Sequence, residues 1–169
     1  MLTIDIHTHI LPQNIPDWKE KFGYGGFIQL EHHSEKKGAE QTCCARMIRD
    51  DGKFFREIGD NCWSAEKRIL DCSHYRVDVQ VLSTVPVMFS YWAKPKDCLS
   101  LSQFLNDHIA GIVQKFPQKF IGLGTIPMQD EKLAVQELER CKKIGLKGIQ
   151  IGTNINQKNL NEDCFFSIF

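Results

Sequence analysis

In the stretch Asp5-Ile6-His7-Thr8-His9 two histidines stand two residues apart. In an extended strand, side chains at that spacing share a face, with Cα atoms roughly 6.5–7 Å apart. Two imidazoles so placed can converge on one cation at about 2.0–2.1 Å from each nitrogen, which makes His7 and His9 candidate metal ligands. The same pattern also fits two strand-end histidines bonded to loop carbonyls. Asp5 precedes the pair and, by alternation, faces the side of His7. It can orient an imidazole as a hydrogen-bond acceptor or cap a neighbouring loop.

Arg56, in Lys53-Phe-Phe-Arg56, is a candidate substrate-binding residue, because a guanidinium offers a planar fork matched to a carboxylate. A solvated arginine is the plainer reading. The run Ser83-Thr-Val-Pro-Val-Met-Phe-Ser-Tyr-Trp92 is rich in large apolar groups. It suits a pocket wall, a loop packed under its neighbours, or a contact with a second subunit. Other chemistry has little support. G-x-S-x-G and G-x-x-x-x-G-K-[ST] are both missing, and Gly122-Leu-Gly124 lacks the third glycine of a dinucleotide fingerprint. His32 and His33 fall in a polar stretch, His74 ends a helical pattern and His108 lies within one; all four read as surface or packing residues. No catalytic residue is assigned within the chain.

The elements that position these groups belong to an ordinary globular composition: 169 residues, 42% hydrophobic, with 21 basic and 21 acidic side chains. A net charge of zero gives no field to gather nucleic-acid phosphates or anionic lipid. No segment approaches the roughly 18 apolar residues of a membrane helix. The opening MLTIDIHTHI lacks the basic flank of a secretion signal, and seven cysteines without a C-x-x-C pair fit reduced thiols. A cytosolic (cytoplasmic) location is expected, with Cys72, Cys98 and Cys141 as small buried or half-buried apolar residues.

Strands are expected over Leu2–Ile6, Val77–Thr84, Phe120–Thr125 and Lys147–Ile151. Helices are expected over Ala65–Tyr75, Asp97–Phe116 and Asp130–Ile144, with another opening at Asn161–Phe169. Ser64 supplies an N-cap, and Gly145 a left-handed C-cap. Phe22–Gly26 and Glu31–Asp51 read as loop and surface, and Gly52–Asn61 as a small hairpin arm. Strands recurring with a helix between them signal parallel βαβ units, so the class is α/β. An open doubly wound sheet and a (β/α)8 TIM barrel compete, and length favours the former.

Several stretches now combine: Ile4-Asp-Ile-His-Thr-His-Ile-Leu-Pro12, Phe22-Gly-Tyr-Gly-Gly26, Leu30-Glu-His-His-Ser34, Asp51-Gly-Lys-Phe-Phe-Arg56, Asn61-Cys-Trp63, Leu82 through Pro95, Gly122 through Gln129, and Gly148 through Thr153. In these the chain resembles the 2-amino-3-carboxymuconate-6-semialdehyde decarboxylase family of the amidohydrolase superfamily. H-x-H is shared across the superfamily, whereas the loop from Ser83 to Pro95 is particular to this family. The resemblance implies a metal-dependent-hydrolase type (β/α)8 barrel. Residues 1–169 would form its N-terminal half, about the first four β/α units, with an inserted arm at about 10–63. It further implies Zn2+ held by His7 and His9, with the remaining ligands beyond residue 169, and Arg56 on a substrate carboxylate. The implied reaction is non-oxidative loss of CO2 from the carboxylated semialdehyde in tryptophan and kynurenine degradation, limiting quinolinate formation, by a homodimer. Residues 35–50, with Cys43-Cys44 inside, depart from the family pattern. A half barrel is expected to be weakly active or inactive alone. Two other readings are a truncated isoform that binds full-length subunits without catalysis, and another metal-dependent decarboxylase or hydrolase of the superfamily.

Overall fold

The computed structural model describes residues 1–37 and 40–169, with the side chains of 35–42 outside that description. In chain order the strands are β1 (Ile4–His9), β2 (Ile28–Lys37), β3 (Glu40–Arg49), β4 (Phe54–Gly59), β5 (Val79–Ser83), β6 (Phe120–Gly124), β7 (Gly148–Ile149), β8 (Asn154–Ile155) and β9 (Lys158–Asn159). The helices are α1 (Trp18–Phe22), α2 (Ala65–Tyr75), α3 (Pro95–Lys115) and α4 (Glu131–Lys143). They fall into two units, Met1–Leu11 with Arg76–Phe169, and Pro12–Tyr75.

The first unit is a parallel sheet in the order β1-β5-β6-β7. Each new strand adds beside the last. A doubly wound sheet reverses its order at a switch point, and none occurs among these four strands. The two helices flanking β6 in sequence also pack on one face of it. A Cβ at Gly122 would come within 2.8 Å of Ile109 on α3, and one at Gly124 within 2.7 Å of the Cys141 sulfur on α4. The pair Gly122 and Gly124 thus serves close helix packing. Ile121 and Leu123 point, by alternation, to the opposite face and are half-buried. Sequential order with helices on one side is the construction of a (β/α)8 barrel, here in part, so the length argument for an open sheet does not hold.

Helix boundaries follow their caps. Ser64 Oγ accepts the Lys67 N–H at 3.2 Å before α2, and Asp130 Oδ1 accepts the Leu133 N–H at 3.0 Å before α4. α3 begins at Pro95, whose missing N–H and fixed φ suit a first turn. Gly145 adopts φ +93° after α4, the left-handed geometry expected of it. β1 runs to His9 rather than ending at Ile6, because Thr8 and His9 still pair with Leu82 and Ser83. Residues Asp163–Ile168 form 3-10 turns in place of the expected α-helix. Phe165 and Ile168 there join a core with Phe89, Tyr91, Ile126, Met128 and Ile155.

The second unit corrects the reading of Glu31–Asp51 as loop. β2, β3 and β4 form an antiparallel three-stranded sheet, in which Ile28–Lys37 pairs in register with Glu40–Arg49. Ala45, Met47 and Ile58 are buried, while Glu31 and Arg46 are exposed. The polar residues that suggested a loop are the outward side of an alternating strand. Of the departing stretch 35–50, residues 38 and 39 lie outside the described residues. α1 carries Trp18, whose ring stacks on Phe22 at 5.2 Å. Among the described residues no helix is long and apolar enough to cross a membrane.

Candidate metal centre

The register of β1 on β5 determines what the two histidines can do. Ile4 and Asp5 pair with Val79 and Gln80, whereas Thr8 and His9 pair with Leu82 and Ser83, so β1 holds one extra residue between Asp5 and Thr8. Such a bulge re-aims the side chains around it. Simple alternation therefore fails for Asp5. Its partner Gln80 and the His9 partner Ser83 lie an odd number of residues apart, on opposite faces of β5. One Asp5 carboxylate oxygen accepts the backbone N–H of His7 at 3.3 Å, and the other accepts the Gln80 amide at 3.3 Å. Asp5 braces the bulged backbone instead of orienting an imidazole.

The two rings do come together. His7 and His9 meet edge to face with centroids 5.0 Å apart, His7 exposed and His9 half-buried. His9 Nδ1 lies 3.1 Å from Ser83 Oγ, and the Ser83 hydroxyl donates to the Thr8 carbonyl at 2.9 Å. A hydroxyl has one proton to give, so Ser83 Oγ accepts from His9 Nδ1–H. His9 is then the Nδ1–H tautomer, with its lone pair on Nε2. Metal-binding histidines are held in this way, by a partner on the nitrogen that does not face the ion. Ser83 is 4% exposed and fixed at the end of β5. The Ile10 N–H donates to its carbonyl at 2.9 Å, and Thr8 Oγ1 donates to the Val81 carbonyl at 2.9 Å. Two imidazoles, one with its tautomer set, fit a divalent ion as two of the three protein ligands usual at an open site. Sequence reasoning missed Ser83 as a partner of His9, since only the bulged register sets the two side by side.

The loop after β5 packs under its neighbours. Met88, Phe89 and Tyr91 are buried, and Trp92 is the large residue turned outward, at 48% exposure. The Tyr91 hydroxyl accepts the Gly152 N–H at 3.1 Å, and burial pushes its ionisation up to about 12.

Arg56 lies in the second unit on β4, opposite Met47 of β3. Its guanidinium is exposed and makes no hydrogen bond or ion pair among the described residues. His32 bonds the Gln13 carbonyl at 2.6 Å and meets Trp63 edge to face, while His74 is exposed in the last turn of α2. His108 is largely buried in α3, where burial lowers its basicity against the opposing hydrogen bond that the ring donates to the Leu11 backbone carbonyl. These are packing and surface roles. His33 differs, and stands beside Cys44 and Glu57.

Comparison with known proteins settles the kinship. The model of a family described as amidohydrolase matches residues 4–169. The chain belongs to the amidohydrolase family. A Dictyostelium discoideum protein named 2-amino-3-carboxymuconate-6-semialdehyde decarboxylase is 56% identical over 169 residues, covering 99% of this chain and 45% of that protein. A Caenorhabditis elegans protein of the same name is 40% identical, covering 98% of this chain and 44% of its own length. Among solved structures, 5-carboxyvanillate decarboxylase from Novosphingobium aromaticivorans, complexed with manganese and 4-hydroxy-3-methoxy-5-nitrobenzoic acid, superposes with a TM-score of 0.61. It is 29% identical over 64% of this chain and 32% of its own. This amidohydrolase chain thus spans less than half the length of the curated relatives it matches.

Proposed function

We propose that this chain supplies the first two metal ligands and a substrate-binding arginine of a decarboxylase acting on 2-amino-3-carboxymuconate 6-semialdehyde. The single observation that carries the metal assignment is the His9–Ser83–Thr8 hydrogen-bond chain, which leaves a lone pair on His9 Nε2, in a ring whose centroid is 5.0 Å from that of His7. The substrate assignment rests on the 56% and 40% identities to proteins of that name.

In this reading His7 and His9 hold a Zn2+ ion whose further ligands come from residues beyond this chain. When bound, the ion acts as a Lewis acid that polarises water or a substrate oxygen. Imidazole donors suit zinc and exclude none of the first-row ions, and the manganese of the 5-carboxyvanillate enzyme makes Mn2+ the competing occupant. Ser83 holds the His9 ring in one tautomer and one orientation. Arg56 presents a two-pronged donor to a substrate carboxylate, fixing the group to be retained while another leaves as CO2. The product would be diverted from quinolinate, and the working form would be a cytosolic homodimer.

The test uses a protein that continues this chain through the length of its relatives, followed by loss of the substrate's ultraviolet absorbance. Changing His7 and His9 together to Ala should lower turnover by more than roughly 100-fold, beyond the loss typical of an outer-shell partner. Arg56→Ala should raise KM several-fold with a smaller effect on kcat. Full turnover by the double histidine variant overturns the metal assignment. Turnover of 5-carboxyvanillate in preference to the semialdehyde overturns the substrate assignment alone.

A further inference from the structure

A second group of donors lies wholly within the Pro12–Tyr75 unit. His33 on β2 pairs directly with Cys44 on β3, and Glu57 on β4 pairs with Arg46, two residues along β3 from Cys44. Residues two apart on a strand share a face, so imidazole, thiol and carboxylate emerge from three adjacent strands on one side of the sheet. One ligand atom from each lies within 4.8 Å of the other two, and His33 Nε2 is already 2.9 Å from Glu57 Oε1. We propose that His33, Cys44 and Glu57 form a second divalent-metal site, selective for zinc, that clips β2, β3 and β4 together.

The geometry fits such an ion. With bonds of about 2.0–2.3 Å to N, O and S, tetrahedral ligand atoms lie roughly 3.3–3.8 Å apart. Closing 4.8 Å to that spacing, and opening the 2.9 Å pair slightly, needs side-chain rotations with no change of register. Cys44 and His33 are half-buried and Glu57 is exposed, which leaves a route for the ion and a fourth position for water. The donor chemistry selects among ions. A thiolate beside an imidazole favours zinc or cobalt over magnesium, calcium and manganese. Arg46 shares this face, but Glu31 at 3.6 Å and the ring of Phe54 engage its guanidinium.

Binding replaces one proton: the Cys44 S–H bond breaks, sulfur binds the metal and the proton goes to solvent. In the metal-free pair the His33 ring proton is on Nε2, donated to Glu57; when the ion takes Nε2 that bond opens and the ring proton is carried on Nδ1 instead, by exchange through solvent. A neutral imidazole, a thiolate and a carboxylate carry two negative charges between them, which the ion neutralises. The site belongs to the arm, so it stands or falls separately from the assignment of His7 and His9.

Titration of the purified chain with Co2+ tests it, because a thiolate bound to cobalt gives a near-ultraviolet charge-transfer band that histidines cannot give. The band should appear, should be displaced by Zn2+, and should survive in Cys43→Ser and in the His7→Ala/His9→Ala double variant. It should vanish in Cys44→Ser. Glu57→Gln changes an exposed side chain and keeps its bond to His33, so it tests the site even where Cys44→Ser fails to fold. This variant should weaken cobalt binding by more than roughly tenfold. No band in the parent chain, a band undiminished in Cys44→Ser, or unchanged affinity in Glu57→Gln overturns the proposal.

Discussion

Ser83 Oγ stands 3.1 Å from His9 Nδ1 and spends its one proton on the Thr8 carbonyl, so the tautomer of a candidate metal ligand is written by a serine one strand away. Removing that oxygen releases the ring and lets either nitrogen carry the proton. Ser83→Ala should therefore lower zinc affinity at the His7–His9 site by about 10–100-fold, measured by competition with a chromogenic chelator in a Cys44→Ser background. Ser83→Thr keeps the hydroxyl and should recover most of the loss. Equal affinity in all three proteins would show that the serine merely fills space.

Burial raises the thiol of Cys98 to about 11, while Cys141 is pushed to about 12 by burial first and the Glu137 charge second. Since the thiolate is the reacting species, neither should be alkylated near pH 8 while the chain is folded. Cys43 and Cys164 are exposed and should react first. Mass-spectrometric mapping after a short iodoacetamide pulse checks this. Early labelling of Cys98 or Cys141 would mean that their cores open far more readily than their burial implies.

Much of the α/β unit was legible because its signals are local. α2 starts and ends where its Ser64 cap and apolar spacing place it, and α4 lies within a residue of the span between Asp130 and Gly145. A parallel strand with one face buried and the other half-buried reads as an apolar run, as at Phe120–Gly124. The arm was not legible, because β3 buries one face only, at Ala45 and Met47, β2 buries little beyond Ile28, and their outward residues resemble loop composition. That the His7 and His9 rings come side by side was readable from spacing alone. The failure at Asp5 has a different origin: a bulge depends on how two strands align, and the β1 sequence does not encode that by itself. The group His33, Cys44 and Glu57 was missed for the same reason, since its members are up to 24 residues apart and meet only through cross-strand register.

His108 provides a test of acid sensitivity. Its Nε2 is buried with no hydrogen-bond partner among the described residues, and burial lowers its basicity, partly offset by a hydrogen bond that the ring donates to the Leu11 backbone carbonyl. The unfolded chain, with a histidine near the ordinary value of about 6.5, then binds the proton more readily than the folded one. Stability due to this group is full above that value and declines as pH falls below it. Urea midpoints at pH 7.5 and pH 5 should differ less for His108→Gln than for the parent chain. An identical difference in both would show that other groups govern acid unfolding.

The packing of β6 against its helices yields a coupled prediction. A Cβ at Gly124 would sit 2.7 Å from the Cys141 sulfur, 3.0 Å from Asn106 Oδ1 and 3.1 Å from Leu146 Cδ1. Asn106 cannot retreat easily: its amide nitrogen donates to the Thr125 carbonyl at 2.8 Å and to Glu137 at 2.7 Å, and its oxygen accepts the Thr125 N–H at 2.8 Å. Overpacking at such a point costs about 1–3 kcal/mol, so Gly124→Ala should lower the urea midpoint clearly. Cys141→Ala removes the closest obstacle while leaving a small void of its own. The double variant should therefore be more stable than the two single losses would add up to, by about 1 kcal/mol, with Asn106 and Leu146 limiting the rescue. Strict additivity would mean that the backbone of β6 shifts to admit the methyl group, and that Gly124 is not what brings α4 close to the sheet.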